Sequence, residues 1–260
     1  MSLASGDFIL LLLSFFIVAT LYSAVGFGGG SSYLAILTLV FTSFFAIRST
    51  ALLCNLTVVV GSCFLFYKSG NLHIKRFLPF IVTSIPFAFL GASFRLKEHV
   101  FFILLGISLI ISAIALTYQT LKLKPNTTIK KYPNYVSYIL GGCIGLLSGL
   151  VGIGGGIFLA PILNHMKWDK PIVIAALASF FILVNSISGI GGLFVSNSFE
   201  VFWPGIIGLL FAVLLGGQLG VRLSIGKLSS NRIKLLTAFL VLFVGIRVLL
   251  KNGLQLTIFS

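Results

Sequence analysis

The chain reads as an all-α polytopic membrane protein made of two inverted repeats of about five segments each, every repeat opened by a glycine-interrupted re-entrant helical hairpin. Three observations predict it. Hydrophobic residues fill 58% of the 260 positions and charged residues only 8%, against roughly a quarter charged in a soluble domain, so the solvent of this surface is largely lipid. The bases cluster in short loops between apolar stretches. A glycine-rich segment in the first half recurs in the second at an offset of 126.

Breaks at charged and Pro/Asn/Gly-rich positions delimit ten apolar segments: 8–25, 33–47, 49–67, 77–94, 100–121, 135–151, 157–166, 172–195, 201–221 and 235–250. A membrane-spanning helix needs about 20 apolar residues. Segments 33–47 and 157–166 fall short of that and both follow a glycine cluster, so each is expected to be half of a re-entrant hairpin. The polar stretch 122–134 divides the chain. The domains expected are a first transmembrane repeat (1–121), a cytoplasmic linker (122–134) and a second transmembrane repeat (135–260).

The loops sort into two sets when each hairpin returns to the side it came from. Loops 68–76, 122–134, 167–171 and 222–234 hold 13 bases, and the opposite set, with both termini, holds 5. The positive-inside rule places the richer set in the cytoplasm and the termini outside. Asn126-Thr127-Thr128 matches a glycosylation acceptor but would be inert on the cytoplasmic side. The N-terminal apolar stretch lacks the basic residues of a cleavable signal, so it is expected to be a retained membrane segment.

The net charge of +14 would suggest nucleic acid on a soluble protein, but here the bases orient the chain and meet anionic lipid. Nucleic-acid binding is not expected. Cys54, Cys63 and Cys143 lie inside apolar segments without metal-ligand spacing, and are expected to be reduced, packed small residues. No metal site and no cofactor are expected. The acids Asp7, Glu98, Asp169 and Glu200 all lie outside the middle of the apolar runs, which disfavours a buried carboxylate proton relay.

The repeat runs Tyr22-Ser-Ala-Val-Gly26-Phe-Gly28-Gly29-Gly30-Ser-Ser in its first copy and Leu147-Ser-Gly-Leu-Val-Gly152-Ile-Gly154-Gly155-Gly156-Ile-Phe-Leu-Ala-Pro in its second. Asn55, six before Gly61, is echoed by Asn185, four before Gly189. With five segments per half, the second half runs inverted relative to the first, a pattern typical of secondary transporters. So many glycines cannot hold a helix, at about 1 kcal/mol each against Ala. They free backbone N–H groups at the start of the following short segment, where the helix dipole is positive. Such an end binds anions without a charged side chain. Close helix packing is the bland use of glycine in membranes, and its recurrence in both halves favours a site. The motif fits neither a dinucleotide fingerprint nor a phosphate loop, because the final glycine and the Lys-Ser/Thr are missing.

These segments resemble the TauE/SafE family, also called the sulfite exporter or toluene sulfonate uptake permease family. The resemblance covers nearly the whole chain and is most specific at Gly154-Gly155-Gly156 followed by Leu159-Ala160-Pro161. The first copy departs from it, with Ala35 where the second has Pro161. The resemblance implies export or uptake of sulfite, sulfonates or related organosulfur anions.

The candidate substrate-binding residues are Gly28, Gly29, Gly30, Ser31, Ser32 and Asn55 in the first half and Gly154, Gly155, Gly156 and Asn185 in the second. The serine hydroxyls follow the glycines and can donate to an anion, or bond back to helix carbonyls. Each asparagine amide needs a partner, in substrate or in a neighbouring helix. Gln218 and Tyr22 are weaker candidates. Arg48 is expected between two segments at the outer face, where it can attract anions, although its head snorkelling to headgroups is the preferred reading. His73 and His99 are expected in solvated loops, and His165 at the end of the second short segment.

The function expected is secondary, non-ATP transport of a small anion by alternating access. The alternative is an anion channel using the same helix ends. No catalytic motif is present, and the chain is not expected to be an enzyme. The partners expected are a small anionic substrate, the lipid bilayer of a bacterial inner membrane and, as one option, a second copy in a homodimer.

Overall fold

The computed structural model describes residues 5–41, 43–122, 129–201, 203–225 and 231–254. Ten α-helices follow one another: α1 (Ser5–Ser23), α2 (Gly30–Leu37), α3 (Phe44–Lys68), α4 (Ile74–Ser93), α5 (Glu98–Lys122), α6 (Asn134–Val151), α7 (Gly156–Met166), α8 (Pro171–Val195), α9 (Trp203–Ile225) and α10 (Asn231–Arg247), the last continued by a π-helical turn, Val248–Gly253. Eight of them, all but α2 and α7, are long and apolar enough to cross a membrane. No strand occurs among the described residues. The protein is therefore an all-α polytopic membrane protein. At 1.5 Å per residue, α2 and α7 run only about 12 and 16 Å, too short for a hydrocarbon core of about 30 Å.

Three expectations need correction. The segment 33–47 is not one element: α2 ends at Leu37 and α3 begins at Phe44. The side chain of Ser43 caps α3 by accepting from the Ala46 N–H at 3.4 Å, so polar chemistry outweighs the apolar run there. Cys143 is exposed on the apolar surface, whereas Cys54 and Cys63 are buried. His99 lies in the first turn of α5, not in a loop. The acceptor pattern at 126–128 lies outside the described residues.

Several hydroxyls within the helices are satisfied locally, although those of Ser23, Tyr33 and Thr50 have no partner among the described residues. Thr20 donates to the Phe16 carbonyl at 2.9 Å, Ser62 to Val58 at 3.0 Å and Thr120 to Leu116 at 2.7 Å, as a lipid environment demands. Small residues let backbones approach. Gly141, Gly145 and Gly149 of α6 lie against Phe80, Ser84 and Ala88 of α4, and Gly216 and Gly220 of α9 lie against Ala19 and Ser23 of α1. Positions advance together in both pairs, so these helices run parallel. Ile103 meets Gly253 and Leu109 meets Gly245, so α5 and α10 run antiparallel.

The loops gather at two ends. At one end the Lys130 N–H donates to the Lys167 carbonyl at 3.0 Å, Tyr132 donates to the Met166 carbonyl at 2.9 Å, and Arg76 pairs with Asp169 at 2.5 Å. A cavity of about 330 Å³ at the same end joins Pro171 to Asn231 and Lys234. At the other end Arg95 donates to the Ser196 carbonyl, and Ser43 donates to Glu200 at 2.8 Å. The described parts of the four basic loops thus share one end of the bundle.

The helix pairings form a regular scheme. α1 packs on α9 as α6 packs on α4, and α3 on α9 as α8 on α4. α2 packs on α3 as α7 on α8, and α2 on α10 as α7 on α5. The pairs α3–α8 and α5–α10 are their own counterparts.

Candidate functional site

Each glycine run interrupts the chain between a long helix and a short one. Gly26 and Gly29 have φ of 90° and 89°, and Gly152, Gly154 and Gly155 have φ of 70°, 77° and 80°. These are left-handed conformations that residues with a Cβ rarely adopt. Gly29 caps α2 and Gly155 caps α7, neither with a side-chain hydrogen bond. The N–H groups of Gly155, Gly156 and Ile157 find no acceptor among the described residues, so the positive end of α7 is left open.

The two breaks enter from opposite ends. Gly26 lies against Ala175, one turn inside the basic end of α8, and its carbonyl accepts from Ser179 at 3.2 Å. Gly152 lies beside Arg48, near the other end of α3. They meet at Asn55, a fully buried side chain near the middle of α3. Its Oδ1 accepts from the Gly30 N–H at 3.3 Å. Its Nδ2 donates to the Ile153 carbonyl at 3.3 Å and reaches the Ser186 hydroxyl at 3.5 Å. A Cβ on Gly28 would overlap the Asn55 amide oxygen, and one on Gly154 would sit 3.0 Å from its nitrogen. One amide therefore holds both breaks.

The other expected residues sort differently. Ser32 is engaged by Tyr22, with 2.7 Å between the hydroxyls, and Ser31 lies 3.4 Å from the same hydroxyl. Ser31, Tyr22, Gly28, Gly29 and Gly30 line a cavity of about 10 Å³ closed on its other side by Ile153 and Ile182. That is about the space of one water. Gly154, Gly155 and Gly156 do not line it; they pack on Ile182, Phe181 and Ser148. Phe27 lines both this cavity and the larger one at the basic end.

Asn185 is not the partner of Asn55. It follows Asn55 by 130 positions, four more than the glycine offset of 126, which is about one helical turn. Ile182 takes the place against Gly154 and Gly156 that Asn55 takes against Gly28 and Gly30. Asn185 itself is 2% exposed, and neither end of its amide has a partner among the described residues. Gln218 contacts Gly61. His165 stands near the Tyr118 ring.

Three residues at the site went unread as such. Ser186 and Ile182 carry no motif signal, since the glycine offset of 126 carries Asn55 to Phe181. Arg48 does not snorkel: it lies within α3, 2% exposed, donating from Nη2 to the Gly149 carbonyl at 2.9 Å and toward Leu150 at 3.3 Å. No group of His, Cys, Asp and Glu able to hold a metal occurs among the described residues.

Comparison with known proteins adds the family. The family described as "Sulfite exporter TauE/SafE" matches residues 11–248. A "Probable membrane transporter protein y4hK" of Sinorhizobium fredii is 33% identical over 92% of this chain and 97% of its own. The "Probable membrane transporter protein YunE" of Bacillus subtilis is 26% identical over 92% and 96%. The "Probable membrane transporter protein MJ0441" of Methanocaldococcus jannaschii is 28% identical over 93% and 95%. No solved structure matches the chain.

Proposed function

The chain belongs to the sulfite exporter TauE/SafE family of membrane transporters, and we propose that it carries a small organosulfur or sulfite-like anion by alternating access between two inverted repeats. The family is one of transporters rather than enzymes. The observation that carries the finer reading is the clamp at Asn55, where one amide bonds to Gly30 and Ile153 in opposite breaks. A shift of either repeat changes those bonds and opens or closes the space between the breaks.

The repeat reading is supported by the pairing scheme, which maps onto itself when α1–α5 are exchanged with α6–α10. It divides the chain into 1–121 and 135–260, joined by the cytoplasmic linker 122–134. The parallel pairs α1–α9 and α4–α6 and the antiparallel pair α5–α10 agree with an inverted relation. The convergence of the basic loops supports a cytoplasmic basic end in a bacterial inner membrane.

The anion is bound by the open N–H groups of α7, by Gly28, Gly29, Gly30 and Ser31 around the small cavity, and by the unpartnered amide of Asn185. Gly154, Gly155 and Gly156 shape the start of α7, and Ser32 holds Tyr22 in place. Access from the basic end runs through the 330 Å³ cavity and past Phe27. A cavity of about 10 Å³ between the breaks favours a carrier over a channel, since an anion needs the breaks to part. Thermal stabilisation of the purified protein by a panel of sulfite, thiosulfate, methanesulfonate and acetate tests the class. Stabilisation by the sulfur oxyanions supports it, and none by any of them counts against it.

A further inference from the structure

Arg48 carries a full positive charge into the packed interior of the helix bundle, and no acid answers it. The only ion pair among the described residues joins Arg76 to Asp169. Glu200 accepts from Ser43, Glu98 lies in the first turn of α5 and Asp7 in the first turn of α1. The guanidinium is held instead by the last carbonyls of α6, Gly149 and Leu150, and by the face of Phe101 at 5.3 Å. Both hydrogen bonds come from one nitrogen, Nη2. The buried Nε has no partner among the described residues. It faces Gly152, where a Cβ would lie 3.1 Å from it.

Capping a helix C-terminus explains part of this arrangement, but not the charge. A glutamine amide has two N–H donors and would serve the same two carbonyls without the desolvation that a buried cation suffers. Position adds the second argument. Arg48 lies seven residues, about two turns, before Asn55, on the same face of α3. It borders the second break on the side away from the basic end. Leu52, between them, faces Gly189 of α8. An anion leaving the clamp toward the end that bears Glu98 and Glu200 meets Arg48 next.

Resting on the carrier reading above, we infer that Arg48 is the substrate's charge partner on that side of the clamp, its unpartnered Nε–H and the adjacent Nη2–H, released from its longer bond to the Leu150 carbonyl, forming a fork that takes two oxygens of one oxyanion. A guanidinium fork matches paired oxygens and has no such match with a spherical anion. Arg48 therefore selects oxyanions over halides as well as attracting charge. Lysine keeps the charge but offers no fork.

The test uses purified full-length protein, with sulfite and methanesulfonate as oxyanion probes and bromide as the spherical one. Dissociation constants are measured by calorimetry and ligand-free unfolding temperatures are recorded beside them. Arg48→Lys and Arg48→Gln are each expected to weaken both oxyanions about tenfold or more; Arg48→Lys, which keeps the charge, is expected to leave bromide binding unchanged, and Arg48→Gln to weaken it. Unchanged oxyanion affinity in a folded Arg48→Lys protein overturns the inference, whatever happens to the unfolding temperature. A drop in unfolding temperature with unchanged affinity in Arg48→Gln also overturns it and leaves Arg48 as a helix cap. If Arg48→Gln does not fold, Arg48→Lys alone decides. Loss of affinity in Asn55→Ala but not in the Arg48 variants sinks only this inference. Failure of the wild-type protein to bind either oxyanion sinks the carrier reading with it.

Discussion

The amide nitrogen of Asn55 donates to the carbonyl of Ile153 at 3.3 Å, across 98 positions of sequence and between two glycine breaks. The oxygen of the same amide accepts from Gly30. Removing the amide leaves a buried N–H and a buried carbonyl without partners, at a cost of about 1–3 kcal/mol for each group. Asn55→Ala is therefore expected to lower the unfolding temperature and to weaken substrate affinity together. Thermal unfolding and transport assays on one preparation check this, and an unchanged protein by both measures would remove Asn55 from the centre.

Asn185 is expected to behave in the opposite way. Its amide is buried and unpartnered, so an apolar residue of similar size relieves a desolvation penalty and is neutral or stabilising. Asn185→Leu should keep or raise the unfolding temperature while substrate affinity falls. Loss of stability without loss of affinity would show that Asn185 serves packing.

Glycine positions separate site from scaffold. A Cβ at Gly28 meets the Asn55 amide, and at Gly154 it meets Ile182 with φ at 77°. At Gly142 it meets the Phe87 ring at 3.4 Å and the Thr83 side chain at 3.8 Å, both without serious overlap. Gly28→Ala and Gly154→Ala should cut kcat/KM about tenfold or more, equivalent to ~1.4 kcal/mol, while Gly142→Ala stays close to wild type. Gly106 does not serve as a neutral control, because its Cβ would press on Leu249 at 2.7 Å. Equal loss at Gly142 and Gly28 would mean that all the glycines serve folding alone.

Orientation can be read chemically. Asn71 joins α3 to α4 at the basic end, and Asn197 joins α8 to α9 at the other. In a cysteine-free background an impermeant thiol reagent should label Asn197→Cys on intact cells and Asn71→Cys only after permeabilisation. Cys143 must be removed first because it is exposed. The reverse pattern would invert the assignment.

Most of the fold was legible because hydropathy and charge act over whole segments. Nine of the ten apolar segments overlap a single helix each, and the grouping of basic loops matches the two ends of the bundle. The tenth, 33–47, failed because a local cap at Ser43 overrides a largely apolar run. The candidate site was legible at the glycines only as helix breaks, whose conformational demands are local. It was not legible at Asn185, where similar spacing concealed a shift of one turn. Arg48 was misread because its apolar neighbours suggest a membrane surface, whereas its partners are backbone carbonyls that sequence alone does not locate.

Counterflow in proteoliposomes tests the carrier reading most directly. Vesicles loaded with unlabelled sulfite are diluted into a trace of radiolabelled sulfite, for wild type and for Gly28→Ala. A carrier of this kind accumulates label transiently, with uptake that saturates, is accelerated by the loaded anion and is lost in Gly28→Ala. Unsaturable flux with an ion-channel current, or counterflow equally fast in Gly28→Ala, would contradict an anion carried between the two glycine breaks.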